Sequence, residues 1–307
     1  MTDSFQRYLR AKRTVDDRAL DRRLVESLRE ALTARAGERR GPLRVLEIGA
    51  GIGTMLTRFL DWDVLPEGDV RYVALDVQPE NVAAMGEYLA EWAGDRDVSI
   101  AGEETLTLDD GARRVTVEPV VADALDYAAD AAPEYDLLVG AALLDILDRD
   151  ALGTLLGPVA PGGLYYFPIT FDGATRFSPP HPADREVERR YHDHMDAKPG
   201  GSSRAGGDVL DRLHRLDGAT LTEVAGSDWV VRPVDGAYPG DEAYFLRHIL
   251  DTVEGAVGEM AGEEFSDLDA WLARRREQVA AAELLYHTHQ LDFLGRVDDP
   301  DAVGEAN

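Results

Sequence analysis

The feature that most limits how this chain can fold is the run Leu43-Arg-Val-Leu-Glu-Ile, followed at once by Gly49-Ala-Gly-Ile-Gly. The short aliphatic run reads as a buried strand. Three glycines at alternate positions then let the backbone turn sharply and approach a ligand with no side chain between them. Residues 54–60 read as the start of a helix whose first N–H groups point into the same space. Strand, glycine loop and helix in that order belong to α/β folds.

The rest of the chain repeats this alternation. Residues 14–40 are helical in pattern, with an apolar stripe of Val15, Leu20, Leu24, Leu28 and Leu32, and Gly37 and Gly41-Pro42 end the element. A second strand is expected over 71–76, a helix over 79–92, and a hairpin turning at Asp109-Asp-Gly whose second arm runs on into a third strand ending at Asp123. A fourth strand (135–140), a helix (150–156) and a fifth strand (164–169) follow. Residues 171–218 change texture, being rich in Pro, Gly, His and Arg, and are too long for a plain connection. Beyond them the pattern gives a strand pair or one bulged strand over 221–232, helices near 241–257 and 266–284, and a closing strand over 284–294.

The expected architecture is a three-layer, doubly wound α/β domain with a mostly parallel seven-stranded sheet. Residues 1–41 would form an N-terminal helical cap, 42–170 the binding core, 171–218 an inserted lid, and 219–307 the completion of the same domain.

Charge and composition exclude several classes. Asp and Glu number 59 against 32 Lys and Arg, a net charge of -27, and the two lysines are Lys12 and Lys198. The acids are spread along the whole chain rather than gathered in a tail, the pattern of a surface adapted to a high-salt cytoplasm, with a moderately acidophilic or high-GC source as the alternative. So acidic a balance argues against nucleic acid, which needs a basic face. The absence of cysteine removes disulfides and thiolate metal sites. No run approaches the ~18 apolar residues of a membrane span, and the first residues lack a signal-like apolar segment. A cytoplasmic protein with a small-molecule partner is expected. A homodimer is compatible with the sequence, which does not fix the oligomeric state.

Two ligand classes use such a glycine loop, and spacing separates them. A dinucleotide fingerprint would place its third glycine at position 54, which is Thr54; here it falls at Gly53. Glu47, two residues before the first glycine, could receive the ammonium of an amino-acid moiety but would repel a pyrophosphate. An NAD-type oxidoreductase is therefore disfavoured.

With these residues, 43–170 resemble the core of the class I S-adenosylmethionine-dependent methyltransferases, and the loop matches that family's first motif. The resemblance implies S-adenosylmethionine as cofactor and S-adenosylhomocysteine as product. It places Gly49, Gly51 and Gly53 on the methionine side and Asp76, ending the second strand, on the ribose hydroxyls. Asp123, ending the third strand, would receive the adenine amino group, and Val77 and Ala124 would pack the adenine faces. Ala50 and Gly140 complete the expected cofactor contacts. A non-catalytic S-adenosylmethionine-binding protein would keep the same loop.

Methyl transfer from an activated sulfonium asks chiefly that nucleophile and methyl be held in line. Asp145, after the fourth strand, is the first candidate for a substrate contact or base, and equally a helix N-cap. His181 and His192 are further catalytic candidates, in a segment (with Tyr191, His194, Ser203 and Arg204) expected above the strand ends. His192 and His194 could suggest a metal, but i and i+2 side chains diverge on a helix, and none is expected. Phe167, Phe171 and Phe177 could wall an acceptor pocket, favour the sulfonium by cation–π contact or simply pack; His287 and His289 read as structural or interface residues. The basic segment Arg10, Lys12, Arg13 and Arg18 either folds over the ligands or pairs with its own acids. The acceptor atom (oxygen, nitrogen or carbon) stays open.

Overall fold

In the computed structural model, which describes residues 2–260 and 265–303, the predicted alternation becomes a sheet flanked by helices. Two helices come first, α1 (Thr2–Ala19) and α2 (Arg22–Glu38). The 14–40 pattern is thus two elements: Asp21 breaks it by capping α2, its Oδ1 accepting the Leu24 N–H at 2.9 Å. The alternating part follows as β1 (Leu43–Ile48), α3 (Thr54–Asp61), β2 (Gly68–Asp76), α4 (Pro79–Gly94), β3 (Ser99–Ala101), β4 (Leu106–Asp109), β5 (Arg113–Val121), α5 (Ala124–Asp130) and β6 (Tyr135–Val139). A 3-10 turn (Arg149–Ala151) leads to α6 (Leu152–Leu156) and the long β7 (Val159–Phe171). Then come β8 (Arg176–Ser178), α7 (Asp184–Ala197), α8 (Ala205–Arg215), β9 (Ala219–Gly226), β10 (Trp229–Val231), α9 (Glu242–Glu259), α10 (Leu268–Ala280), β11 (Leu285–Thr288), β12 (Gln290–Val297) and α11 (Pro300–Val303).

The main sheet has the order β3-β4-β5-β2-β1-β6-β7-β12-β9. Only β4 and β12 run against the others, so seven of its nine strands share one direction. The fold class is the expected one, with a correction of count. The seven strands from β5 to β9 were foreseen, and residues 99–109 add a two-stranded ribbon to one edge. The order reverses at β1, which has β2 on one side and β6 on the other, and such a switch point opens a crevice at the strand carboxyl ends.

Side-chain alternation distributes the core to both faces. In β1, Leu43 and Val45 join a cluster with α1, α2, α3 and α4, whereas Leu46 and Ile48 join α5, α6, α8 and α11 on the other side. Asp136, fully buried on β6, ties α2 to the sheet by accepting Arg35 Nε at 2.7 Å, Arg39 Nη1 at 2.6 Å and the Arg44 N–H at 2.9 Å.

A second, three-stranded antiparallel sheet, β10-β11-β8, was not expected. Of the two readings over 221–232 the strand pair is the one found, and it divides between the two sheets at Ser227-Asp228, as the closing strand over 284–294 does at His289. Helices α1, α7, α9 and α10 gather around this small sheet, while α8 packs on β7, β9 and β12. Residues 171–218 therefore contribute to both layers.

Candidate functional site

The loop after β1 is held in the left-handed region at Gly49 (φ 66°) and Gly51 (φ 56°). At Gly51 a Cβ would lie 3.0 Å from Leu9 Cδ1 of α1, so backbone freedom and close approach are both required there. The loop is fastened to the end of β2: the Ala50 N–H donates to the Leu75 carbonyl at 2.9 Å and the Gly51 N–H to Asp76 Oδ2 at 2.7 Å. Asp76 Oδ1 accepts the Gln78 N–H at 2.8 Å and Asn81 Nδ2 at 3.1 Å. Asp76 thus orders the glycine loop as well as facing the crevice, a role its place in the sequence does not reveal.

Glu47, on β1, is buried, and its Oε2 accepts the Tyr72 hydroxyl at 2.6 Å. Burial pushes its carboxyl up to about 8, against the lowering effects of the Tyr72 bond and of nearby Arg58. Asp123 caps α5, with both capping bonds on Oδ1, from the Leu125 N–H at 2.8 Å and the Asp126 N–H at 3.1 Å.

These groups border one cavity of about 710 Å³ at the carboxyl ends of β1, β2, β5, β6 and β7. Its near wall is Glu47, Gly49, Ala50, Gly51, Asp76, Val77, Asp123 and Ala124. Its far wall comes from elsewhere: Tyr8, Leu9, Lys12 and Asp16 of α1, Tyr191 and Met195 of α7, His248 and Ile249 of α9, with Trp229, Tyr286 and Gln290. Phe171 and Asp145 complete it. Lys12 Nζ donates to Asp16 Oδ2 at 2.7 Å and lies 5.0 Å from the Trp229 ring centroid, and Trp229 Nε1 donates to Asp16 Oδ1 at 3.0 Å.

The other expected residues fall outside this lining. Gly53 caps α3, and a Cβ there would meet Met85 and Leu89 at 3.3 and 3.5 Å. Gly140 is wedged between Ile48 and Phe167, with 3.1 and 3.2 Å available, and Ala141, Ala142 and Leu143 line the cavity in its stead. His181 begins the turn before α7, its Nδ1 accepting the Ala183 N–H at 3.2 Å. His192 is one helical step from Tyr191 but lies in a separate polar cleft beside Asp172, Glu188 and Asp196. Its Nε2 bonds Thr175 Oγ1 at 3.0 Å, its ring meets Phe171 edge-on, and burial lowers its pKa. Neither histidine is among the residues brought together around the cavity. Phe167 and Phe177 are core residues.

Asp145 does line the cavity, and the N-cap role falls to Asp148 instead, whose Oδ1 accepts the Asp150 N–H at 2.9 Å. Asp145 Oδ1 is enclosed without a hydrogen-bond partner, and burial raises its pKa. Of the basic segment, Arg10, Arg13 and Arg18 pair with Glu91, Asp61 and Glu242, which lie on other elements; only Lys12 reaches the cavity. Its partner Asp16 and the ring of Tyr8 follow the i, i+4 spacing of one helix face, a signal open to sequence reading. No spacing could have announced Trp229, Tyr286 or Gln290. Among the described residues no group of three or more His, Asp or Glu is arranged to hold a metal ion. Among them, too, no helix is long and apolar enough to cross a membrane.

No protein-family model and no curated protein matches the sequence. Solved structures do. A SAM-dependent methyltransferase from Geobacter sulfurreducens, in complex with S-adenosylhomocysteine, is 16% identical, with 91% of this chain and 92% of that one covered and a TM-score of 0.43. One from Thiobacillus denitrificans, also with S-adenosylhomocysteine, is 15% identical, with 91% and 92% covered and a TM-score of 0.42. The [4+2]-cyclase SpnF is 16% identical over 90% of this chain and 81% of its own, with a TM-score of 0.43. Likeness at this level leaves the chemistry to be argued from the site itself.

Proposed function

We propose that this protein is an S-adenosylmethionine-dependent methyltransferase acting on a small-molecule acceptor. The observation that carries the reading is that Glu47, the glycine loop, Asp76, Val77, Asp123 and Ala124 line one wall of a single cavity, which continues past them into a second, aromatic half. S-adenosylmethionine, when bound, supplies a methyl group already activated on a sulfonium. Glu47 then takes the ammonium of its amino-acid end. Arg58, which has a buried Nη2 without a hydrogen-bond partner, offers a donor to the carboxylate. Asp76 accepts from the ribose, Asp123 from the adenine, and Val77 and Ala124 cover the base. The far wall excludes water and holds the acceptor against the methyl, and positioning is the main source of rate.

The second half of the cavity is what disfavours a mere binding protein. Its enclosure by α1, α7, α9 and the small sheet, which together act as the lid, suits a small acceptor better than a flat macromolecular surface. The charge of -27 fits a high-salt cytoplasm and speaks against a nucleic-acid partner. Light scattering at high salt tests for the homodimer.

Calorimetric titration of the full chain at high salt with S-adenosylmethionine, S-adenosylhomocysteine and NAD tests the reading. Both sulfur ligands should bind and NAD should not. Binding of NAD alone overturns it.

A further inference from the structure

The far half of the cavity holds groups that the cofactor does not use. Among the described residues, three lining side chains have a buried atom without a hydrogen-bond partner: Nη2 of Arg58, Oδ1 of Asp145 and Oε1 of Gln290. Arg58 lies near Glu47 and serves the amino-acid end. The other two are oxygens. Leaving such an atom enclosed and unpaired is costly, so a ligand that fits must bring N–H or O–H donors to them.

The surroundings narrow the donor further. Tyr8 and Tyr191 lie close enough to feel the charge of Asp145, and Tyr191 in turn adjoins Tyr286. Trp229 and Phe171 continue the ring-lined wall. Aromatic faces and a carboxylate attract a cation; an anion would meet repulsion from both. Lys12 also faces this space and lies near enough to favour the Asp145 carboxylate, but its Nζ is held by Asp16 Oδ2 at 2.7 Å rather than by Asp145 Oδ1, which stays without a donor.

Resting on the methyl-transfer reading above, we propose that the acceptor is a small amine, bound as its ammonium between Asp145 and Gln290 within the aromatic wall, and methylated on nitrogen. The ammonium first passes a proton to Asp145, whose enclosure without a donor suits it to receive one. The freed lone pair forms the nitrogen–carbon bond as the sulfur–methyl bond breaks, with that bond's electron pair staying on sulfur. The products are a methylated ammonium and S-adenosylhomocysteine, and the proton on Asp145 returns to solvent.

The test uses the full chain saturated with S-adenosylhomocysteine and titrated calorimetrically with benzylamine, benzyl alcohol and benzoate, three ligands of similar shape and different charge. Benzylamine should bind at least tenfold more tightly than the other two. Asp145→Asn should weaken benzylamine by roughly tenfold or more, the scale of a hydrogen bond to a charged group, while S-adenosylhomocysteine affinity stays within about twofold. Equal or tighter binding of the alcohol or benzoate, or no binding of benzylamine, overturns the amine assignment and leaves the cofactor reading standing. Failure of S-adenosylhomocysteine itself to bind overturns both. Should Asp145→Asn not fold, the wild-type ranking of the three ligands decides alone.

Discussion

The two walls of the cavity are built in opposite ways. The near wall comes from residues 47–124, each at the end of a strand or the start of the following helix, so that one local rule places them all. The far wall is assembled from α1, α7, β10, α9, β11 and the start of β12, elements drawn from both ends of the chain and separated from the near-wall segment. The near wall offers polar groups already ordered by backbone bonds. The far wall offers rings and a carboxylate oxygen left unpaired. A loop and its strand ends can be specified locally and suit a ligand of constant shape. A wall drawn from distant elements can be changed at one position without disturbing the other, which suits recognition of a particular acceptor.

That division can be broken by experiment. The largest effect should come from Asp76→Ala, which removes the proposed ribose contact and frees the Gly51 and Gln78 N–H groups together. S-adenosylhomocysteine affinity should fall by roughly 100-fold, the sum of two charge-assisted hydrogen bonds, and an unchanged affinity in calorimetry would remove Asp76 from the site. Next is Gly51→Ala, which forces a left-handed conformation on alanine and presses its Cβ against Leu9. About tenfold weaker binding is expected, and adding Leu9→Ala should recover part of it. Full additivity of the pair would mean that the walls do not touch there.

Proton linkage sharpens the comparison on the near side alone. Because burial holds the Glu47 carboxyl up to about 8, the free protein carries a proton there at pH 7. A bound ammonium requires the carboxylate, so cofactor binding should release about one proton at pH 7 and none well above pH 8. The same raised pKa makes Glu47 cost stability as pH rises from its unfolded value through 8. Calorimetry in buffers of different ionisation heat reads the release, which Glu47→Gln should abolish while Asp145→Asn leaves it in place.

The smallest effect belongs to the far side. Asp228 accepts from His289 Nδ1 at 2.7 Å and lies 3.3 Å from His287 Nε2. Partial burial opposes its charge, but these bonds prevail and its pKa is lowered. Its contribution is present above the ordinary carboxylate range and fades as pH falls through the lowered value. For so exposed a cluster, Asp228→Asn should lower Tm by only about 1–3 °C, with S-adenosylhomocysteine affinity unchanged. A large loss of affinity would show that the small sheet governs the near wall too.

The same contrast explains what could be read from the residues alone. The order of strands and helices, the loop, and Asp76 and Asp123 at strand ends follow from periodicity and spacing, which are local. The arm at 106–109 and its pairing with the third strand were legible in the Asp109-Asp-Gly turn, whereas the three-residue strand at 99–101 beyond it was too short to show. The small sheet was hidden because its strands are three or four residues long and adjoin, across breaks of one to four residues, strands of the main sheet. His192 was favoured for its chemistry, yet the helix phase that turns Tyr191 and Met195 to the cavity turns the histidine to another cleft. Gly140 was placed by its position after a strand, where a close contact between Ile48 and Phe167 is the true reason for its size.

The fastening of α1 bears on the order in which the molecule is made. Asp16 meets Trp229 across 213 residues, and Arg18 meets the buried Glu242 across 224. On a ribosome, α1 is exposed long before either partner has been synthesised, and contacts so distant close late. The glycine loop and its sheet can form early, with Leu9 still absent from above Gly51. The cavity becomes a closed chamber only when residues 229–290 have been made, so α1, synthesised well before its partners, is the last wall to be set. A nascent chain therefore presents the near wall well before the far wall stands opposite it.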